Sequence, residues 1–383
     1  MTDKKANRPV RMLFAAVDIG YRIELYTKFI KHYFASKLKP ESLTISLLPK
    51  EHYRTFYDYE FHFEGKNSLY RWSVSLFNFV RCLFRYDMFH FFSGETLLPR
   101  KLRRFELMMY KLLGKRVIMH FVGCDVRSLD YSHWKAIHIQ EYLAGHDSFP
   151  KSEAWQKKLI NDTIKYADTI LVSTPDLQQI IPQATYFPVL LDLNKYLKEL
   201  DEIPSPDKDR DEITILHSPS NLYHTRTKGT DYIVPVLKKI AELPQYKIRL
   251  ILPSQNDKNR STPYSSTRYE LFRHFKEADI VIDQLITGWY GLLSVEALAA
   301  GKEVICYVDE HLRHHLFPDC PIEIANVNTL EAVLIKCIDK IRQGNKEALI
   351  KNNIEWVKKY HTIEMNHSEL SKAWDIPNTI KPT

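Results

Sequence analysis

The run Ala278–Val308, ADIVIDQLITGWYGLLSVEALAAGKEVICYV, limits the possible folds of this chain more than any other. The buried-type strand Ile280–Ile282 ends at Asp283-Gln284, and a loop carrying Gly288 and Gly291 follows. A helix begins near Gly291 or Leu292, and after Gly301 a second apolar strand, Glu303–Val308, closes the unit. Strand, helix and strand in such close succession belong to a mainly parallel sheet with helices on both faces.

The same alternation runs through the whole chain. Val10–Val17, Leu43–Leu48, Met88–Phe92, Val117–Phe121 and Thr169–Ser173 read as strands, with helices over Glu24–Ser36, Asn67–Phe84 and Arg100–Leu113 between them. Glu212–His217, Tyr246–Leu252 and Asp279–Leu285 open a second series, with helices over Thr230–Leu243, Ser266–Glu277, Ser294–Ala300 and Asn328–Gln343. Between the two series, KELDEIPSPDKDRD is charged, holds two prolines and lacks apolar periodicity. The expected organisation is an α/β chain of two facing Rossmann-like domains: residues 1–197, a linker over 198–211, residues 212–350, and a helical segment over 351–383 that crosses back to the first domain. A length of 383 residues fits two such cores. Asp209-Arg210-Asp211 spells a metal-binding triplet, but it stands in a solvated charge run and is read as linker.

Two loops carry chemistry. Glycine lets a backbone approach a ligand closely, and the helix start near Leu292 offers free N–H groups to a diphosphate. Glu296, a turn into that helix, either accepts from two ribose hydroxyls or caps its own helix. In Ile215–Ile233, ILHSPSNLYHTRTKGTDYI, Arg226 and Lys228 stand beside a helix N-terminus. They suit a departing diphosphate, or else form a solvated basic loop. In the first half, His120 points to the same strand face as Val122, as a cleft group or as a core anchor. Asp125 and Arg127 follow that strand, either facing a cleft or forming a mutual ion pair or turn cap.

These runs resemble the donor site of the family 4 retaining glycosyltransferases, which have two facing Rossmann domains (the GT-B fold). The matching residues are Tyr290-Gly291-Leu292, Glu296-Ala297-Leu298-Ala299, Gly301-Lys302-Glu303-Val304-Ile305, Lys228-Gly229 and Ser218-Pro219-Ser220-Asn221. The resemblance implies a donor site of Ser218, Arg226, Lys228, Gly288, Tyr290, Gly291, Leu292 and Glu296, with Glu296 on the ribose. It implies a catalytic side at His120 and Asp125 and an acceptor side at Gly20, Gly123 and Arg127. Where the family places a first glutamate on the transferred sugar, this chain has Gly288, and where the family's His precedes its Gly directly, it has Val122. The implied reaction moves a sugar from a nucleotide diphosphate sugar to a hydroxyl on a saccharide or lipid-linked acceptor, with retention, no cofactor and no metal. Surface polysaccharide or glycolipid assembly is the expected setting. The two departures also admit a catalytically impaired nucleotide-binding or scaffold protein with the same fold.

A net charge of +7 favours anionic partners without choosing among them. Nucleic acid is not expected, because the basic residues are dispersed through an α/β pattern with no recognised binding motif. The five cysteines form no Cys-x-x-Cys pair, which argues against a disulfide framework and a zinc site. With no signal-type apolar segment and no long uncharged apolar run, a cytoplasmic location is expected. Arg100–Arg116 is basic with a broad apolar side, either a surface helix of the first core or a segment lying on anionic lipid at the inner face of the membrane.

Overall fold

A computed structural model describes residues 8–18, 20–46, 57–123, 125–128, 154–204, 211–219, 225–253, 267–344 and 346–375, without the side chains of Ser46, Thr225 and Arg226. It divides into two compact units. The first holds the described residues up to Arg127, those from 154 to 188 and those from 366 to 375. The second holds those from 189 to 365 together with Ser128.

In the first unit, β1 (Val10–Ala15), β2 (Leu38–Ser46), β3 (Tyr59–His62), β4 (Met88–Phe92), β5 (Arg116–Phe121), β6 (Thr169–Val172) and β7 (Thr185–Tyr186) form one sheet in the order β3-β2-β1-β4-β5-β6-β7. All its pairings are parallel. The order reverses between β1 and β4. Such sheets are covered on both faces, and the alternation of each strand serves two cores. Phe89, Phe91, Met119 and Phe121 pack with Phe79, Leu107 and Tyr110. On the other face Phe14, His90, Phe92 and His120 meet Tyr26. Of the helical segment expected over 351–383, residues 351–365 belong to the second unit, and the last helix, His367–Ala373, belongs to this one. Trp374 is fully buried beside Phe14 and His90, Arg116 Nη1 donates to its carbonyl at 2.8 Å, and Thr169 Oγ1 donates to the Ala373 carbonyl at 3.1 Å.

In the second unit, β8 (Ile213–Leu216), β9 (Ile248–Ile251), β10 (Ile280–Ile282), β11 (Glu303–Cys306) and β12 (Glu323–Ile324) run parallel in the order β12-β11-β10-β8-β9. Here the order reverses between β8 and β10, so the loops after these strands flank a topological switch point, where open α/β sheets bind ligands. Helix Arg268–Glu277 enters through a capping box of Thr267 and Glu270 and delivers the chain to β10.

The boundary differs from the charged linker expected over 198–211. Helix Leu193–Asp201 runs into that segment, and the division falls between Pro188 and Val189. Leu193, Tyr196 and Leu200 form a buried row at helical spacing, and Tyr196 donates its hydroxyl to the Glu296 carbonyl at 2.7 Å. Residues 205–210, with Asp209 and Arg210, lie outside the described residues.

Candidate functional site

The site is built at the carboxyl ends of β8 and β10. His217, directly after β8, ties the Ile282 carbonyl to Thr230 Oγ1 through its two ring nitrogens, at 2.9 Å each. Burial pushes its imidazole down to about 4, so it is a neutral clamp between the strand ends and the helix Thr230–Ala241. Ser218 follows it and is buried. Gly229 stands before that helix at φ 80°, where a Cβ would come 3.0 Å from Ile286 Cγ1. The left-handed turn at Gly229 aims the preceding Lys228 back across the strand ends.

Lys228 Nζ lies 2.7 Å from Asp283 Oδ1 and 2.7 Å from Gln284 Oε1, the two residues that end β10. The Lys228 carbonyl accepts from Leu285 N–H at 3.0 Å, and Thr287 Oγ1 donates to the Thr227 carbonyl at 3.2 Å, which stitches the two loops together. The other carboxylate oxygen of Asp283 accepts from Gly291 N–H at 3.2 Å and from Ser294 Oγ at 2.7 Å. Asp283 thereby caps helix Leu292–Ala299, which has no side-chain cap on its own Gly291. Burial would raise the Asp283 carboxyl, but the Lys228 charge and the bonds from Ser294 and Gly291 outweigh it and hold the group below its usual range. Gly291 is extended at φ −113°, and a Cβ there would lie 3.6 Å from Asp283 Oδ2 and 3.9 Å from Lys228 Nζ.

Glu296 sits one turn further on, buried, and its carboxylate is paired with Arg268 Nη1. The Arg268 guanidinium lies over the ring of Phe272 at 4.2 Å. Glu296 therefore does not serve as a cap of its own helix. Gly288 accepts Asp309 N–H at 3.0 Å through its carbonyl. Tyr290 is buried, stacks on Trp289 at 4.9 Å and sets its hydroxyl 3.3 Å from His361 Nε2. Leu292 is half-buried at the helix start. The Arg226 side chain lies outside the described residues. Asp283, Ser294 and Arg268 stand outside the donor-site residues that the sequence motifs imply. Asp283 ends a strand beside a glycine loop and was within reach of motif reading, whereas Arg268 lies on a different helix and only the fold brings it to Glu296.

In the first unit the structure separates residues that the sequence groups together. Asp125 accepts from Val122 N–H at 2.9 Å and Gly123 N–H at 2.7 Å, so it is a turn cap, and burial pushes its carboxyl up. Arg127 does not pair with it. Its buried guanidinium donates to Asp176 at 2.7 Å and Thr174 at 3.3 Å, because the turn at Gly123 directs it toward the end of β6. His120 is buried, with Nε2 3.0 Å from Ser173 Oγ. Burial, then the Arg22 charge, hold its imidazole well below the ordinary range. Gly20 follows β1 in the left-handed region, at φ 68°.

A cavity of about 760 Å³ opens at the opposite end of the second sheet, where β10, β11 and β12 begin. Two ion pairs line it, Lys346 with Asp279 at 3.2 Å and Lys340 with Glu303 at 2.7 Å. Its position away from the switch point sets it apart from the site described here.

No family model matches the sequence, and no curated protein does. Solved structures do match. Sucrose-phosphate synthase from Thermosynechococcus elongatus is 14% identical with a TM-score of 0.62, covering 96% of this chain and 98% of that one. HepE of Anabaena, solved with UDP and glucose, is 11% identical with a TM-score of 0.64, over 96% of this chain and all of that one. A glycosyltransferase from Rickettsia africae is 13% identical with a TM-score of 0.53, over 97% of this chain. At such identities the likeness concerns the fold: the chain has the two-unit α/β fold of these proteins over nearly its full length.

Proposed function

We propose that the protein is a glycosyltransferase that moves a sugar from a nucleotide diphosphate sugar to a hydroxyl of a saccharide or lipid-linked acceptor, with retention of configuration. The observation that carries the reading is the cluster of Lys228, Asp283 and Gly291 at the switch point of the second sheet. It joins an ammonium, a glycine that leaves room for a ligand and a helix N-terminus, the groups that stabilise a departing diphosphate. In this reading Ser218, Arg226, Gly288, Tyr290 and Leu292 shape the donor pocket, and Glu296, steadied by Arg268, receives the ribose hydroxyls. His120, neutral at neutral pH, and Asp125 form the catalytic side, with Gly20, Gly123 and Arg127 shaping the acceptor side. Lys228 and the helix start supply the positive charge, so the reaction needs no metal or other cofactor. HepE, with the same fold, was solved with UDP-glucose, which makes UDP sugars the first donors to test.

The test is to incubate the protein with a panel of nucleotide sugars and separate the products by chromatography. Release of the nucleoside diphosphate with at least one donor is the expected result. The alternative, a nucleotide-binding scaffold, is favoured by Gly288, which brings no carboxylate to the sugar. Tight nucleotide binding with no release from any donor, even with acceptors added, would select it.

We further propose that the protein works in the cytoplasm at the inner face of the membrane, in surface polysaccharide or glycolipid assembly. No helix among the described residues is long and apolar enough to cross a membrane. A surface suited to lying on one is present. Helix Ser68–Arg85 exposes Leu69 (75%), Trp72, Leu76, Phe77 (63%), Val80 and Phe84 (76%). Helix Arg103–Leu112 is its neighbour, with the Phe79 and Phe105 rings 6.3 Å apart, and it adds Phe105 and Leu112. Neither helix exposes an acidic residue, since Glu106 is buried, while Arg85, Lys101, Arg104 and Lys111 are exposed. A contiguous apolar face flanked by exposed basic residues fits an anionic bilayer.

A further inference from the structure

The first unit contains a buried guanidinium that makes no hydrogen bond or ion pair among the described residues. Arg22 opens helix Arg22–Tyr33, directly after the left-handed pair Gly20 and Tyr21. It is 8% exposed, and its Nη1 is buried without a hydrogen-bond partner among the described residues. The two carboxylates near it are engaged elsewhere. Asp18 accepts Ile23 N–H at 3.1 Å and Tyr57 OH at 2.8 Å, and Asp125 accepts Val122 and Gly123 N–H. Their charges act on Arg22 from a distance, but neither carboxylate makes an ion pair with it among the described residues. A second orphan is nearby, His120 Nδ1, also buried without a partner and close enough to feel the Arg22 charge.

Arginine cannot shed its proton to escape such a position, and an unpaired buried charge is strongly unfavourable. A guanidinium is a planar fork that matches a phosphate or carboxylate through two parallel bonds. Arg22 lies at the carboxyl end of β1, one of the two strands flanking the switch point of the seven-stranded sheet, where ligands of such sheets bind. We propose that Arg22 is an oxyanion-binding residue of the first unit, gripping a phosphate group of a substrate. Resting on the transferase reading, that phosphate belongs to a phosphorylated acceptor.

The experiment is a thermal-shift titration of the full chain in a low-salt amine buffer, first with inorganic phosphate and then with UDP. Wild type, Arg22→Met and Arg22→Lys are compared. Phosphate is expected to raise the midpoint of wild type. Arg22→Met is expected to bind phosphate roughly tenfold more weakly or worse, and to melt above wild type when phosphate is absent. Arg22→Lys keeps the charge without the fork and falls between the two. A UDP shift that survives in Arg22→Met is expected of an acceptor phosphate, and one lost with Arg22 overturns that assignment. A phosphate shift of equal size in wild type and both Arg22 variants, or none in wild type, overturns the proposal. Absence of any UDP shift in wild type counts against the transferase reading instead, and leaves the phosphate result to be judged alone.

Discussion

Gly291 and Gly229 are both glycines of the site loops, yet the structure asks different things of them. Gly229 needs its positive φ and has Ile286 against it, so Gly229→Ala should lower stability by about 1 kcal/mol or more, read as a fall in the urea midpoint. Gly291 is extended, and its Cβ would make only ordinary contacts, so Gly291→Ala should melt like wild type while losing nucleotide affinity. Asp283 is held by Lys228 on one oxygen and by the helix start on the other. Lys228→Met strands that buried carboxylate and should destabilise the second unit by about 3–5 kcal/mol, measured by denaturant unfolding. Lys228, Gly291 and Glu296 were legible in the sequence because strand end, glycine loop and helix start are local patterns. The Arg268–Glu296 and Arg127–Asp176 pairs were not, since each joins separate elements through the fold.

At the scale of elements, the alternation of strands and helices was readable from β-branched runs and apolar spacing, and both sheets follow it. Helix Leu193–Asp201 was missed because Lys195, Lys198 and Glu199 mask the row Leu193, Tyr196, Leu200, whose burial partner is supplied by helix Leu292–Ala299. Basic helix Arg103–Leu112 was visible as a candidate lipid contact, but the larger apolar face belongs to helix Ser68–Arg85. Apolar spacing cannot tell which side of a helix the rest of the chain leaves uncovered, and here the core takes Phe79, Cys82 and Leu83 and leaves Phe77 and Phe84 outside. Phe77→Ser/Phe84→Ser should abolish flotation with anionic vesicles and leave the melting temperature within a few degrees of wild type. Equal flotation of the double variant, or no flotation of wild type, would remove this face as a membrane contact.

Across the whole molecule, buried histidines make the fold acid-labile. Burial pushes His90 down to about 3 and His217 and His361 to about 4, from an ordinary 6.5. The unfolded chain takes up protons below 6.5 that these folded sites refuse, so their contribution is full above 6.5 and is lost as pH falls toward 4. Glu106, pushed up to about 7 by burial, works the other way, contributing stability at low pH that is lost as pH rises through 7. Burial also raises the Asp18, Asp125 and Glu303 carboxyls, which act in the same direction as Glu106. The lowered histidines, His90, His120, His217, His315 and His361, still outnumber these four carboxyls, so the urea midpoint should fall between about pH 7 and pH 5. A flat or rising midpoint would mean that the histidines titrate normally.

The central claim is that the carboxyl ends of β8 and β10 hold a nucleoside diphosphate between Lys228, Gly291 and Glu296. Calorimetric titration of UDP into wild type and Gly291→Ala, with melting curves run alongside, tests it most directly. Binding to wild type, weakened roughly tenfold or more in a variant that melts unchanged, is the predicted result. Equal affinity in both proteins, or no heat with UDP or any other nucleoside diphosphate in wild type, would contradict it.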